Sequence, residues 1–548
     1  MKRYITIILA VTALAYSTTA QDIGGTIFDP SAMTAMDMAN ASRVQFGSGS
    51  ARSAAMAGAF VSLGGDISSM SQNPAGLGFY KRNEITLTPS MSFSNTASSV
   101  AKWEKNSTSK FALGNIGIVL KLRESSTGVT AINFGFGYTR TADFNYSISY
   151  TSGKGYGASS IANVFAKQLT SQGITSKAIN GNYDENDYFR WNAIDPSNWG
   201  AILAYMGGLV GDGAGSGRWT RDMISNDAAV QEFSTIHSSG SAGEYNISLG
   251  LNVNNKLYIG ASIGIPTIKI NRDVYYGEQY TYDTKPSLNY RMTHFNYDQQ
   301  SQIKGAGFNF KLGVIYSPIE NLRLGLAIHT PTFYSMTYKY QAGLTSEVFA
   351  ENNVDDYTLD NKGFIDPPLS NITPTLIDDN SYSWNYTTPT RLMFGASYIF
   401  AKRLTLSVDY ERDWYNGMRV QNSPYGKHLY DNFFRESFKG SNALRVGAEF
   451  RLIPQVALRA GYGLWSGALR DDAAILSSPV IYRTDTIGAG AGIALAKWFT
   501  IDLAYQYCNE RMTPFLAYYD NDNTNIASTI VDTQVKRHSV LLTLGFRF

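Results

Sequence analysis

The sequence predicts an all-β fold: a fourteen-stranded antiparallel transmembrane β-barrel with an N-terminal hatch inside it. Three observations support this class. Segments of roughly 10 to 15 residues alternate apolar and polar side chains, which places one row on each face of a strand. Short and long connections alternate, as in outer-membrane barrels with short periplasmic turns and long extracellular loops. The 548-residue chain is rich in glycine (50) and tyrosine (36), whereas charged residues make up only 16%.

The N-terminal residues have the pattern of a secretory signal. Lys2 and Arg3 are followed by a mostly apolar run over 5–15, and small residues end at Ala20. A positive start, a short apolar region and a small-residue cleavage site define a signal peptide, so we expect 1–20 to be removed. No later apolar run reaches the ~18 residues of a membrane-spanning helix. The chain is therefore expected to be exported without a helical anchor.

The next segment, 21–82, lacks the alternation of the strands that follow. It is longer than a simple leader and too small to bury a stable core by itself. Burial inside the barrel would solve this problem, so we assign 21–82 as a hatch that plugs the lumen.

The remaining residues, 83–548, are predicted to form the barrel. In the last strand, Val540, Leu542, Leu544, Phe546 and Phe548 share one face. Fourteen strands satisfy the even number expected of a bacterial barrel. Closure of the sheet into a barrel avoids unpaired backbone groups in lipid. The fourteen candidate strands are 83–96, 111–123, 129–150, 242–253, 256–272, 305–316, 322–343, 386–400, 403–420, 441–453, 455–466, 484–496, 498–511 and 534–548.

The largest extracellular loop is predicted over about 152–241. Its apolar stretch is too short to span a bilayer. Three hypotheses remain open for this stretch: packing on the barrel rim, contact with lipopolysaccharide, or a groove that captures a hydrophobic ligand, since exposed apolar patches often mark binding sites. The residues concerned are Trp199, Ile202, Leu203, Tyr205, Met206 and Leu209.

Composition and motifs exclude several classes of function. The net charge of +2 gives no basic surface for nucleic acid, and a single cysteine rules out an intrachain disulfide framework or a multi-cysteine metal site. The His-Glu-x-x-His motif of zinc proteases is missing, so we expect no enzyme, no cofactor and no metal. The inward-facing charges have mixed signs and predict an ion-pair lattice. As an alternative, Arg391 and Arg459 are candidates to pair with a ligand carboxylate.

The stretch from Ser50 to Phe79, SARSAAMAGAFVSLGGDISSMSQNPAGLGF, resembles the N-terminal hatch of the FadL/TodX family of outer-membrane channels. The matching features are a small-residue run through Gly58, the acidic Asp66, and the tripeptide Asn73-Pro74-Ala75 just before the first strand. Later strands resemble the family as well, over 404–414 and 443–463. The resemblance implies that these hatch residues take part in gating.

The resemblance also implies a function: passive transport of hydrophobic compounds, with long-chain fatty acids as the leading class, and lateral release through the wall beside a kinked third strand. Two alternatives remain, a PorV-like surface scaffold associated with secretion and a barrel enzyme acting on lipid. The expected location is the outer membrane of a Gram-negative cell. The expected partners are a hydrophobic ligand, outer-membrane lipid and lipopolysaccharide, and the barrel assembly machinery through Phe548, with the chain as a monomer.

Overall fold

The computed structural model describes residues 38–100, 103–156, 159–191, 194–195, 198–221, 223–282, 290–350, 358–372, 383–421, 427–470, 479–518 and 526–548. The predicted signal peptide, 1–20, and the first part of the predicted hatch, 21–37, lie outside the described residues.

The described chain is dominated by strands that follow one another with short turns on one side and long connections on the other. In chain order they are β1 Glu84–Ser99, β2 Trp103–Glu124, β3 Val129–Asp143, β4 Tyr146–Thr151, β5 Gly155–Tyr156, β6 Val210–Asp212, β7 Trp219–Arg221, β8 Ala229–Val253, β9 Leu257–Thr281, β10 Tyr290–Ile319, β11 Leu322–His329, β12 Phe333–Ala350, β13 Leu369–Ile372, β14 Ser383–Thr387, β15 Arg391–Phe400, β16 Leu404–Trp414, β17 Arg419–Gln421, β18 Gly440–Ile453, β19 Val456–Ser466, β20 Ile481–Ala496, β21 Phe499–Met512 and β22 Asp532–Arg547.

These strands close into a barrel. Each long strand pairs antiparallel with the next, and β1 pairs with both β2 and β22, for example Ile85 with Phe546. Some wall strands are interrupted, and we call each unit that crosses the wall once a stave. β3 with β4, β11 with β12, and β14 with β15 each form one stave. The predicted closed fourteen-strand antiparallel barrel is therefore confirmed.

The apolar outer band is shorter than the strands that carry it. On β9 the outward row is Ile259, Ile263 and Ile265, all exposed, and it then changes to Lys269 and Asp273. Counted from Leu257 at the start of β9, the apolar row ends after nine residues at Ile265, which matches the 9–11 residues of a transmembrane strand. The residues of each strand beyond this band form an extension on the extracellular side.

Because of the extracellular extension, β8 and β9 are longer than the sequence predicted. β8 begins at Ala229, not at 242, and β9 ends at Thr281, not at 272. Above the apolar band the outward side chains become polar, so the two faces no longer differ in the way that marks a strand facing lipid. The longest connection accordingly ends at 228, where the sequence had suggested 241.

Long connections fold over the barrel mouth as an extracellular cap. The cap contains helices and shares one apolar core with the upper strands, in which Trp199, Phe165 and Tyr297 are buried. Within the described residues, no helix has the length and apolar character needed to cross a membrane. The cap helices are α3 Ile161–Ser171, α4 Ser176–Asn180, α5 Trp199–Met206 and α6 Lys427–Ser437.

The N-terminal segment lies inside the barrel and includes α1 Ala51–Ala55, α2 Ser69–Gln72 and a 3-10 helix over Pro74–Phe79. Ser50 starts α1 by accepting a hydrogen bond from the Ser53 amide, as an N-cap residue does. Polar side chains of the wall satisfy the backbone of this segment. These contacts are Thr543 Oγ1 to Ala51 N, 2.7 Å; Asp409 Oδ2 to Val61 N, 2.8 Å; Arg323 Nη1 to Leu63 O, 2.7 Å; and Asn133 Nδ2 to Leu77 O, 2.7 Å.

Candidate functional site

The barrel wall has a break between β2 and the third stave. The β2–β3 ladder reaches Asn115 opposite Thr139 and goes no further. Above this point β4 pairs with β8 but, in the described chain, not with β2. The backbone ladder between β2 and the third stave is therefore interrupted at this height, although β4 still lies beside β1 and β2, and Ser98 Oγ of β1 donates a hydrogen bond to the Ser149 carbonyl of β4.

The break coincides with a bend in the third stave. The register against β8 shifts between Arg140 and Ala142, and a β-bulge of this kind bends a strand. On β8, Gly240 has a φ of +127° and accepts a hydrogen bond from the Phe144 amide. A Cβ at Gly240 would lie 2.1 Å from the Lys269 carbonyl oxygen, so only glycine fits this close approach. The bend thus depends on a glycine of the neighbouring strand.

The hatch occupies the strand edge that β2 has left. The Gln45 amide donates to the Thr141 carbonyl over 2.9 Å, and Ser48 Oγ donates to the same oxygen over 3.3 Å. The Gln45 side chain reaches the Asp143 carbonyl, also over 3.3 Å. Backbone acceptors that would normally bond to a neighbouring strand are therefore satisfied by the hatch segment Gln45–Ser48, and we call this segment the plug.

The Asn73-Pro74-Ala75 motif fixes the hatch to a different part of the wall. Asn73 Nδ2 donates to the Val61 carbonyl over 2.7 Å and approaches the Val314 and Leu326 carbonyls on β10 and β11. Its Oδ1 accepts from the Ala75 amide and so caps the 3-10 helix. The wall contacts of Asn73, on β10 and β11, lie about four staves from the break between β2 and the third stave.

A glycine on the wall makes room for this motif. A Cβ at Gly313 of β10 would lie 1.8 Å from Asn73 Oδ1, which is far inside van der Waals contact. The glycines that alternate along the lumen-facing rows thus serve close approach of the hatch to the wall.

The other two predicted hatch residues stabilise the hatch itself. Asp66 is buried, and its carboxylate accepts hydrogen bonds from Ser50 Oγ and from the amide and hydroxyl of Ser68. It therefore ties the start of α1 to the turn before α2. Gly58 has a φ of +79°, a left-handed conformation that favours glycine, and its amide bonds to the Ser53 carbonyl at the end of α1.

The two predicted carboxylate partners lie in different surroundings. Arg459 pairs with Glu449 and with Asp502, and Arg52 of the hatch shares Glu449, so Arg459 belongs to the ion-pair lattice. Arg391 donates to the Ser42 carbonyl and lies 4.0 Å from Asp413. It also lines a cavity of about 90 Å³ beneath the cap. Of the two predicted carboxylate partners, Arg391 lines this cavity and Arg459 does not.

This cavity is strongly polar. Its lining includes the ion pairs Lys311–Glu244 and Arg445–Glu411 as well as Arg391. It extends to Ser48 of the plug and to Thr141 of the bent strand. The volume holds a few water molecules, and the lining suits water or a polar group rather than an alkyl chain.

A second cavity, of about 30 Å³, lies directly behind the bend, and its arginines were not predicted from the sequence. Arg43, Arg272 and Arg537 line it, all of them buried. Asp143 and Glu510 line the same cavity, and Arg43 pairs with Glu510. Arg537 Nη1 forms an ion pair with the other Glu510 oxygen over 3.4 Å without hydrogen-bond geometry, and Arg43 Nε has no hydrogen-bond acceptor among the described residues. We call this space the bend cavity.

The apolar stretch of the longest loop lies in the core of the cap. Trp199, Ile202, Leu203 and Leu209 are buried, and the Trp199 ring packs against that of Trp191 at 5.5 Å. Tyr205 and Met206 are partly buried at the edge of the same core. The burial favours packing over an open groove or contact with lipopolysaccharide.

A sequence model for the outer membrane protein transport proteins (OMPP1/FadL/TodX) matches residues 231–548, more than half of the chain. The chain belongs to this family. Membership of the OMPP1/FadL/TodX family, together with the barrel, indicates an outer-membrane location. No curated protein shows a significant match to the chain.

Solved structures of OMPP1/FadL/TodX proteins share the fold at low sequence identity. A FadL homologue from Pseudomonas aeruginosa is 11% identical, with a TM-score of 0.51, over 92% of this chain and 100% of that one. A deletion mutant of the monoaromatic hydrocarbon channel TodX is 14% identical, with a TM-score of 0.50, over 92% and 99%. The Pseudomonas putida toluene transporter TodX is 14% identical, with a TM-score of 0.49, over 92% and 100%.

Proposed function

We propose that the protein is a passive outer-membrane channel for hydrophobic compounds, with long-chain fatty acids as the leading substrate class, and that ligands leave sideways through the break between β2 and β3. The observation that carries this proposal is the plug, because Gln45 and Ser48 bond to the strand edge that the break exposes. A segment that fills an opening is placed to control it.

A lateral route suits such a ligand physically. An alkyl chain that crossed a water-filled lumen to the periplasm would expose its apolar surface to water, at about 25 cal/mol per Å². An exit through the wall transfers the chain directly into membrane lipid. The lining of the 90 Å³ cavity by charged pairs is consistent with a lumen that carries no continuous apolar path to the periplasm.

The bend cavity supplies a site for the carboxylate of such a ligand. Arg43 and Arg537 offer N–H groups, and a buried carboxylate is stabilised by arginine in this way. Ile270 and Met512 also line this cavity and can contact the start of an alkyl chain. The cavity therefore fits an amphipathic acid better than a neutral hydrocarbon.

Transport requires the plug to move, and this movement can be blocked. Ser48 and Thr141 line one cavity, so cysteines at both positions can be joined by a short reducible cross-linker in a Cys508→Ser background. We expect the joined protein to take up labelled oleate at a small fraction of the unjoined rate, and reduction to restore uptake. Ser48→Cys alone, treated identically, is the control. Equal uptake before and after reduction would refute release at this break.

The substrate class can be tested separately from the route. Replacement of Arg43 and Arg537 by glutamine removes both carboxylate donors, so oleate uptake should fall about tenfold or more while toluene uptake stays unchanged. Arg483→Gln is the matched control, because this arginine bonds Asp485 and is partly exposed. Equal loss of both substrates would show a general defect of the hatch rather than recognition of an acid.

A second candidate function is a surface scaffold associated with secretion. The observation that favours it is the small, charged cavity beneath the cap, since a scaffold needs a filled lumen and no movement of the hatch. In cells that lack the protein, a scaffold role predicts normal oleate uptake and loss of exported proteins from the surface. The transport role predicts the opposite result in both assays.

A further inference from the structure

Two glutamates face each other in the extracellular extension of the barrel. Glu232 of β8 and Glu278 of β9 are direct cross-strand partners, and their exposed fractions are 5% and 0%. Glu278 lies thirteen residues beyond Ile265, about 40 Å along the strand from the end of the apolar band. Both side chains are therefore outside the membrane. Like charges directly opposite on neighbouring strands repel each other, which makes this pairing unusual.

Glu278 is held by four hydrogen-bond donors, which oppose the rise that burial causes in its pKa. Its two oxygens accept from the Ile161 amide, Ser160 Oγ and Tyr276 Oη at 2.8, 2.5 and 2.8 Å. Tyr280 Oη donates a fourth bond over 2.7 Å. Ser160 and Ile161 form the start of α3, where the helix dipole favours a negative charge. Glu278 thus holds α3 of the cap against the rim of the barrel.

Glu232 has much weaker partners. Tyr518 Oη lies 3.5 Å away and the Thr529 amide 3.4 Å away, both on the connection between β21 and β22. In the described chain, the donors that reach the two carboxyl groups are hydroxyls and backbone amides, with no lysine or arginine among them. A second negative charge at this place would be buried beside the first without compensation.

We propose that Glu232 and Glu278 form a pH-operated latch, in which a proton on Glu232 keeps α3 and the segments around Tyr518 and Thr529 docked against the barrel mouth. Loss of this proton places two buried negative charges side by side and releases the cap. Three elements meet at the pair: the β8–β9 hairpin, the start of α3, and the segment with Tyr518 and Thr529. Protonation of one carboxyl group therefore controls contacts of all three.

The pH range over which Glu232 titrates supports the latch. Burial, and then the charge of Glu278, raise the pKa of Glu232 to about 8. Four tyrosines face the pair, and burial raises their pKa values well above 10, so they stay neutral below that range. At the exposed rim of this strand pair, Lys154 donates to Thr281 Oγ1 rather than to either glutamate. The tyrosines are Tyr150, Tyr276, Tyr280 and Tyr518.

The direction of the pH dependence of cap closure follows from the raised pKa of Glu232. In the open cap Glu232 is solvated and titrates at about 4.3, whereas in the closed cap it keeps its proton to about pH 8. The closed state is therefore favoured most at low pH and loses stability as the pH rises between these two values. The opening constant should rise about tenfold per pH unit in that window and level off above pH 8.

Hydrogen exchange of α3 and of 526–531, measured by mass spectrometry on the full-length protein from pH 6 to 9, tests the latch. At each pH the wild-type rate is divided by that of Glu232→Gln, which cancels the pH dependence of exchange itself. We expect this ratio to rise by roughly a hundredfold between pH 6 and 8 and then to level off. Glu185→Gln, a change at an exposed site of the same loop, is the control and should behave as wild type.

A second variant keeps the proposal testable if Glu232→Gln changes the cap in other ways. Glu278→Gln removes the neighbouring charge but not the burial, so the wild-type step should move to lower pH without vanishing. A ratio that stays constant from pH 6 to 9 would overturn the latch. A step that persists in Glu232→Gln would assign the titration to another group, with the same consequence.

Discussion

Asn73→Ala tests whether the hatch is held by the Asn-Pro-Ala motif. Asn73 is 1% exposed, and its side chain bonds to the Val61 carbonyl and the Ala75 amide over 2.7 and 3.1 Å. Alanine leaves both backbone groups buried without a partner. Each unpaired group costs about 1–3 kcal/mol, so the docked hatch should lose about 2–6 kcal/mol. The population of undocked hatch then rises at least about thirtyfold.

The barrel ladder does not depend on this side chain, so its stability should not change. We expect normal amounts of heat-modifiable barrel in the outer membrane, faster hydrogen exchange over 61–79, and impaired uptake of labelled oleate, because the plug is no longer held in register with the break. Asn95→Ala, at an exposed asparagine of β1, is the control. Unchanged exchange and unchanged uptake together would refute the role of the motif.

Three further predictions follow from particular contacts. Gly313→Val should reproduce the effects of Asn73→Ala in exchange and uptake, because its Cβ would collide with Asn73 Oδ1, whereas Gly343→Ala, with its nearest atom at 3.6 Å, should not. Ile202→Ala should destabilise the cap by about 2–5 kcal/mol, seen as faster proteolysis of the cap without loss of barrel heat resistance; weaker ligand binding with an intact cap would instead support the capture groove. Deletion of Phe548, whose row resembles the C-terminal assembly signal, should sharply lower outer-membrane levels, and a normal level of heat-modifiable barrel would contradict that role.

The sequence predicts the wall strands well within the membrane, where one face of each strand contacts lipid and the other faces the lumen. Facing lipid on one side and the lumen on the other forces the two rows of side chains to differ, and the last strand shows this from Val540 to Phe548. The same pattern fails above the membrane, where Lys269 and Asp273 replace the apolar row of β9. The upper parts of β8, β9 and β10 could not be read from alternation for this reason.

The bend of the third stave could not be located from sequence for a different reason. Its cause is partly Gly240 on another strand, and glycine is frequent along all the lumen-facing rows. The bend cavity was also missed, since Arg43 and Arg537 are 494 residues apart and meet only when the hatch enters the closed barrel. No local pattern marks such a pair. The hatch motif, by contrast, is contiguous and could be recognised directly.

Photolabelling with a fatty acid that carries a diazirine on its tail tests the central claim most directly, because it marks the path of the ligand. We expect adducts, displaced by unlabelled oleate, on the plug Gln45–Ser48 and on both sides of the break, over 111–117 of β2 and 139–146 of the third stave. Adducts confined to the extracellular cap, or adducts spread evenly around the barrel and unaffected by oleate, would contradict lateral release between β2 and β3.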